Sequence, residues 1–379
     1  MIIETLIGGS AALGAMYFAA KHEPSEAKRI RHIFSNVGYK VGDKLPTYLR
    51  TRRELNWIEH IFNVPYGLID DPKLQPIIEK TLTKPTCIYF DGKLHVRLYR
   101  RKLSEHISYD WSRSSGWTVP IGYNHDGLIE HDFDKIPHMT VAGTTRYGKT
   151  VLLKLIITHL IRNNSDDISL SIIDLKGGLE FGWYEKLRQV NRVASDVNEA
   201  SELLKCVLER IKDDMNRFKS IGISNVLDGK ITRRHFVIVD EAAELMPPSQ
   251  ASRDEKKTYR YCQNALSEVA RVAGALGYRL IFCTQYPTAD TLPRQIKQNA
   301  DAKIAFRLPT EVASRVAIDD SGANELANPG RAIYRTHRKD VVQVPYLSDA
   351  KIKEYLRRYI DDSNGKMESK SGSDIIEFG

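Results

Sequence analysis

The chain has 379 residues, enough for a core of a few hundred residues plus a smaller appended module. With 42% hydrophobic and 27% charged residues it is globular rather than disordered, and the excess of 56 Lys+Arg over 48 Asp+Glu makes an acidic polymer a plausible partner. The four cysteines (Cys87, Cys206, Cys262, Cys283) form no C-x-x-C pair, which points away from a zinc site or a disulfide framework; Cys206 and Cys283 lie in apolar periodic segments and read as core residues.

Residues 1–20 are almost entirely apolar, and Lys21, Lys28, Arg29 and Arg31 follow them. The uncharged run Thr5 to Ala20 spans about 24 Å as a helix, short of the roughly 30 Å hydrocarbon core, and crosses it only if Glu4 sits at the interface. A membrane anchor and a packing helix are both open readings. For an anchor, the basic flank on the C-terminal side leaves the remainder on the cytoplasmic face. A secretory signal is disfavoured by the lack of a basic stretch before the apolar run. Residues 21–56 are basic with little apolar periodicity, which predicts a linker able to lie along anionic phosphates of lipid or DNA.

Residues 57–134 carry the signals of a small α+β domain. Cys87-Ile88-Tyr89-Phe90, the turn Asp91-Gly92 and Leu94-His95-Val96-Arg97-Leu98-Tyr99 predict a β-hairpin with a two-residue turn. Its basic residues suit a solvated edge and DNA contact equally.

Next comes Gly143-Thr144-Thr145-Arg146-Tyr147-Gly148-Lys149-Thr150, a complete P-loop pattern between an apolar strand, Met139 to Ala142, and an apolar helix start, Val151 to Ile157. Glycines let such a loop curl so that backbone N–H groups and the helix N-terminus point at phosphate oxygens. Lys149 is expected to reach the β- and γ-phosphates of ATP, and the Thr150 hydroxyl to ligate Mg²⁺. Downstream, Phe236-Val237-Ile238-Val239 ends in Asp240-Glu241. There Asp240 would hold Mg²⁺ through water, and Glu241 would orient and deprotonate the attacking water.

From Ile136 to about Pro345 strands alternate with helices: Ile168 to Ile173, a helix from about Asn198, Phe236 to Val239, a helix ending near Leu276, Leu280 to Cys283, and Ala302 to Phe306. This alternation predicts an α/β fold with a mainly parallel sheet covered on both faces. Leu203, Leu204, Val207, Leu208, Ile211, Met215 and Phe218 form one helical stripe and read as core. The tail from Asp361 to Gly379 has the composition of a disordered segment.

Several collinear blocks now resemble the FtsK/SpoIIIE family of DNA-translocating ATPases, over roughly Ile136 to Ala350. They are Pro137 to Thr145, Asp174-Leu175-Lys176, Arg217 to Asn225, Val239 to Leu245, Cys283-Thr284-Gln285-Tyr286-Pro287-Thr288, and the later segments Ile296 to Asn299, Ile304 to Arg307 and Ser314-Arg315. The resemblance implies a RecA-like P-loop ATPase motor, residues 135–360, assembling into a homo-hexameric ring that threads DNA as ATP is hydrolysed. It implies that Gln285 senses the γ-phosphate. Arg146-Tyr147 stand where the family usually has Gly-Ser, and Gly274 stands where many members place an arginine acting on a neighbour's ATP; Arg271 or Arg315 would replace it. The chain ends soon after the motor, so a C-terminal winged-helix module that reads oriented sequences is not expected.

The leading expectation is therefore an ATP-driven translocase of double-stranded DNA serving a mobile genetic element. A coupling protein that moves single-stranded DNA with a relaxase through a membrane pore is the runner-up, and a membrane-anchored DNA tether switched by ATP is the third reading. A replication protein of the same element is a further candidate partner. Arg294 and Lys297 are candidate channel residues.

Overall fold

The described residues, 23–110 and 114–361 of a computed structural model, fall into two units divided between Leu103 and Ser104. The apolar N-terminal helix expected over residues 1–20, and the tail beyond Asp361, lie outside the described residues. Among the described residues no helix is long and apolar enough to cross a membrane.

The stretch expected as a basic linker is folded. Ser25–Asn36 forms helix α1, and Thr47–Arg53 forms strand β1. Ala27, Ile30, Ile33 and Phe34 fall on one buried stripe of α1 while Lys28 and Arg29 point to solvent, so the basic composition conceals a helical period. Strand β1 pairs with β2 (Trp57–Asn63), which pairs with β4 (Leu94–Tyr99), itself paired with β3 (Thr86–Phe90). Helix α2 (Leu74–Leu82) and α1 cover one face of this sheet, where Phe34 meets Phe62 edge-on at 5.2 Å. The β3–β4 turn has three residues rather than two: Phe90 pairs with Leu94, and Gly92 adopts a φ of 81° that glycine accepts without a steric penalty.

The small domain also ends earlier than expected. Strands β5 (Thr118–Tyr123) and β6 (Leu128–Asp132) belong to the large unit, where they form the edge of a ten-stranded sheet. Its remaining strands are β7 (Met139–Ala142), β8 (Ile168–Ile173), β9 (Val190–Ala194), β10 (Arg234–Val239), β11 (Tyr278–Thr284), β12 (Ala302–Ala305), β13 (Arg331–Arg335) and β14 (Lys339–Gln343), in the order β6-β5-β14-β13-β12-β7-β11-β10-β8-β9. From β12 to β9 every pairing is parallel, and from β6 to β12 every pairing is antiparallel. The expected mainly parallel sheet is thus present with an antiparallel extension.

Helices pack on both faces. Along β10, Phe236 and Ile238 join the core beneath helix α3 (Lys149–Asn163), whereas Val237 and Val239 join the core beneath α4 (Val197–Ile221) and α5 (Arg253–Val272). A strand buried on both sides is apolar except where a polar group is partnered: β10 is apolar from Phe236 to Val239, and its buried Arg234 and His235 are hydrogen-bonded to Asp134 and Ser171. On α4, Leu203, Leu204, Val207, Ile211 and Phe218 are buried as the periodicity predicts. Cys206 is exposed instead, because it falls outside that stripe by more than half a right angle. Helices α6 (Arg294–Asn299), α7 (Glu311–Ile318) and α8 (Asp349–Leu356) complete the unit.

One charged clasp closes the sheet edge where β10 and β11 begin. Asp134 accepts hydrogen bonds from Arg234 Nε (2.7 Å) and Nη2 (3.0 Å) and from Arg279 Nη2 (2.8 Å), and both arginines are buried. Burial alone would raise the Asp134 carboxyl, but the two guanidiniums outweigh it and hold it below the usual aspartate value. Such a group adds stability above its unfolded pKa that is lost as pH falls through the depressed folded value. Asp134→Ala is expected to cost about 3–5 kcal/mol in chemical denaturation at neutral pH, because it strands two buried cations. A loss under about 1 kcal/mol would show that the clasp is not holding the edge.

Candidate nucleotide site

Ligands of open α/β sheets bind beyond the carboxyl ends of the parallel strands, and three such ends carry the candidate residues here. In register, Ala142 of β7 pairs with Thr284 of β11, and Phe282 of β11 pairs with Val239 of β10. The residues that follow, 143–150, 285 and 240–241, therefore emerge side by side. Of these, residues 144–146, 148–150, 240 and 285 line a cavity of about 740 Å³, within the usual range for a small-molecule site.

The P-loop is seated from below by Phe306. A Cβ on Gly143 would lie 2.6 Å from Phe306 Cβ, and one on Gly148 would lie 3.0 Å from Phe306 Cε1, so these two glycines let the loop lie against the ring. Gly143 N donates to Thr284 O (3.2 Å), and Thr144 N and Oγ1 both donate to Arg307 O (3.0 Å each). Gly148 has φ 115° and Arg146 has φ 70°, the left-handed region that a non-glycine residue adopts at a cost. The Tyr147 carbonyl accepts from Gly330 N (2.9 Å), and the Arg307 guanidinium lies 5.4 Å from the Tyr147 ring centroid.

Lys149 and the two acids meet directly. The lysine Nζ donates to Asp240 O (2.5 Å) and lies 3.4 Å from Asp240 Oδ1 and 3.3 Å from Glu241 Oε2. All three side chains are buried. Burial alone would lower the Lys149 pKa, but the negative charge of Asp240 and Glu241 outweighs it and keeps the ammonium above its usual value. Burial is also the main influence on Asp240 and raises its carboxyl, against the pull of Lys149 and Lys176. Glu241 Oε1 accepts from Gln285 N (3.0 Å) and Thr284 Oγ1 (3.3 Å), which aims its carboxylate across the end of β11. The Gln285 side-chain oxygen accepts from Thr145 Oγ1 (3.1 Å), so Gln285 links the P-loop to Glu241.

Asp240 Oδ1 is a buried oxygen without a hydrogen-bond partner among the described residues, and Thr150 lines the same cavity. A carboxylate oxygen that meets only the Lys149 ammonium, at 3.4 Å, on a cavity that a threonine also lines, is the donor chemistry of a hard cation and fits the expected Mg²⁺.

Arg271 and Arg315 are not brought to the cavity. Each is exposed and pairs with a glutamate on its own helix, Arg271 with Glu268 (2.6 Å) and Arg315 with Glu311 (2.7 Å). A Cβ on Gly274 would stand 3.1 Å from Pro137 Cγ, before the start of β7, so that neighbourhood is the sheet edge remote from the P-loop. Arg294 is exposed, whereas Lys297 is held by Asp319 at 2.6 Å.

Two parts of the site carry no assigned role in the sequence. Lys176 Nζ lies 3.5 Å from Glu241 Oε2, placing a second ammonium on that oxygen. Its signal was the block Asp174-Leu175-Lys176, where the buried Asp174 fixes the loop by accepting from Glu180 N (3.0 Å) and Phe181 N (3.1 Å). The outer wall comes from residues 105–107, 328–330 and 343–349, which share no local motif.

The family model for FtsK/SpoIIIE matches residues 101–332. The chain belongs to the FtsK/SpoIIIE family. It is 27% identical over 261 residues to DNA translocase FtsK of Lactiplantibacillus plantarum, covering 63% of this chain and 31% of that protein. It is 27% identical over 273 residues to DNA translocase SpoIIIE of Bacillus subtilis, covering 66% of this chain and 33% of that protein. The chain thus spans about a third of the length of these curated relatives. Among solved structures, the pCW3 conjugation coupling protein TcpA, in a monomer form with ATPγS, is similar in fold at a TM-score of 0.65 and 22% identity, covering 88% of this chain and 99% of that one. The cytoplasmic domain of the Type VII secretion ATPase EccC of Thermomonospora curvata is similar in fold at a TM-score of 0.55 and 19% identity, covering 67% of this chain and 33% of that one.

Replacing Arg146 with glycine removes the left-handed penalty and is expected to raise thermal stability by about 1 kcal/mol. Unchanged or lower stability in thermal unfolding would mean that side-chain contacts of Arg146 repay the strain.

Proposed function

We propose that the chain is an ATP-driven DNA translocase motor that hydrolyses ATP in the cavity beside the P-loop and works as a homo-oligomeric ring, six copies around double-stranded DNA. The observation that carries this reading is the meeting of Lys149 with Asp240 and Glu241, and of Glu241 with Gln285, beside the cavity that Lys149, Asp240 and Gln285 line. Family membership supports it, as do relatives named DNA translocases.

The Lys149 ammonium lies against the carboxylates of Asp240 and Glu241. A bound triphosphate supplies competing negative charge, so Lys149 turns from the carboxylates to the phosphates while the P-loop N–H groups hold the remaining oxygens. Lys176 stays on Glu241 and keeps the carboxylate oriented once Lys149 has left. Glu241 then accepts the proton of the attacking water. Thr150 and Asp240 would hold Mg²⁺, which neutralises phosphate charge when bound. Gln285 touches both the P-loop and Glu241, the placement needed to pass the state of the γ-phosphate to the loop that follows β11. Arg271 and Arg315, remote from this chain's own cavity or turned to solvent, are the candidates for completing a neighbour's site. Arg294 is the better placed of the two channel candidates, because Lys297 is already paired.

A second reading has a specific observation in its favour. The fold of the conjugation coupling protein TcpA is matched over 99% of its length, whereas the curated translocases are matched over about a third of theirs. A coupling protein would carry single-stranded DNA with a relaxase, attached to the cytoplasmic face of a membrane through residues 1–20.

The test is ATPase rate with single- and double-stranded DNA, with oligomeric state measured in the same samples. DNA is expected to stimulate turnover in the oligomer, and a preference for single strands selects the second reading. Glu241→Gln should lower kcat by about 10²- to 10⁴-fold while ATP still binds, and Lys149→Ala should lose nucleotide binding. DNA-independent hydrolysis by a stable monomer would overturn both readings.

A further inference from the structure

The phosphate-binding residues make up only part of the cavity lining. The rest comes from chain segments outside the P-loop and the acidic pair, and these are fastened to one another. Tyr346 N donates to Ile107 O (2.8 Å), Asn328 Nδ2 donates to Glu105 Oε1 (2.9 Å), and Val344 N donates to Gly330 O (2.8 Å). Gly330 N in turn donates to the P-loop at Tyr147 O, so the outer wall is built onto the phosphate cradle.

Lys154, one turn into α3, is held by Glu180 (2.8 Å) and Asp349 (3.1 Å), so its charge is already spent. Beside the acidic Glu105 and the polar His106, Asn328 and Gln343, this wall presents apolar surface from Ile107, Val344, Leu347 and the ring of Tyr346. Tyr346 is the one tyrosine, phenylalanine or tryptophan lining the cavity among the described residues, and although its backbone is pinned it stands 64% exposed. A flat ring on a fixed backbone, on a wall whose lysine is already paired and which also carries the carboxylate of Glu105, matches a neutral heteroaromatic base and not a further anion. Bases stack on aromatic side chains because both present π-faces and lose apolar surface to water together.

We propose that Tyr346 stacks on the base of the bound nucleoside triphosphate and that residues 105–107 close the nucleoside half of the site. The proposal rests on the reading of the cavity as a nucleotide site. It assigns affinity for the base to the outer wall and affinity for the phosphates to the P-loop.

Calorimetric titration of the full chain with Mg·ATP and with Mg·tripolyphosphate, which lacks base and sugar, separates the two halves. Tyr346→Ala is expected to weaken ATP binding by about ten- to a hundredfold and to leave tripolyphosphate binding within about twofold. Tyr346→Phe, which keeps the ring, should bind ATP as the wild type does. ATP binding by Tyr346→Ala within twofold of wild type overturns the stacking proposal while the phosphate site stands, as does an equal loss for both ligands. If wild-type protein binds neither ligand, the nucleotide reading itself fails and the proposal with it.

Discussion

Lys149 is the constraint around which this site is organised. A buried ammonium without partners is costly, and breaking a buried ion pair by removing one partner costs about 3–5 kcal/mol. Asp240 and Glu241, the two acids that follow β10, meet that demand. Strand β11 lies between β7 and β10, so satisfying one lysine fixes the relative positions of three strand ends. The same arrangement makes the lysine exchangeable, because a triphosphate offers equivalent charge from the other side. In the proposed mechanism, binding and the release of Glu241 from Lys149 are one event.

The parts of the site legible in the sequence are those held by short-range rules. The P-loop and the Asp240-Glu241 strand end each sit within one strand and its following turn, where residue spacing dictates backbone path. Gln285 is named only by the family resemblance, and it lies between Thr145 and Glu241. The outer wall was not legible. Residues 105–107, 328–330 and 346 are brought together by the antiparallel edge of the sheet, across separations of more than two hundred residues, and no local pattern marks them.

Errors in reading the fold have the same origin. Residues 25–53 were masked by their charge, since four buried residues of α1 carry the packing among many basic neighbours. The β5–β6 hairpin was given to the small domain because it follows it in sequence, but its partner is β14, which lies more than two hundred residues onward. Cys206 looked apolar by neighbourhood, and helical phase turned it outward. For α1 and the β5–β6 hairpin a tertiary partner decided what composition left open, and for Cys206 the helical period did.

The central claim is that Lys149 leaves the acids for the phosphates of a nucleotide lying between the P-loop and Glu241. An experimental structure of the full chain with Mg²⁺ and a non-hydrolysable ATP analogue tests it most directly. The account predicts Lys149 Nζ within hydrogen-bond distance of the β- and γ-phosphate oxygens and no longer on Glu241 Oε2. A nucleotide bound elsewhere, or one bound in the cavity with Lys149 still on Glu241, would contradict it.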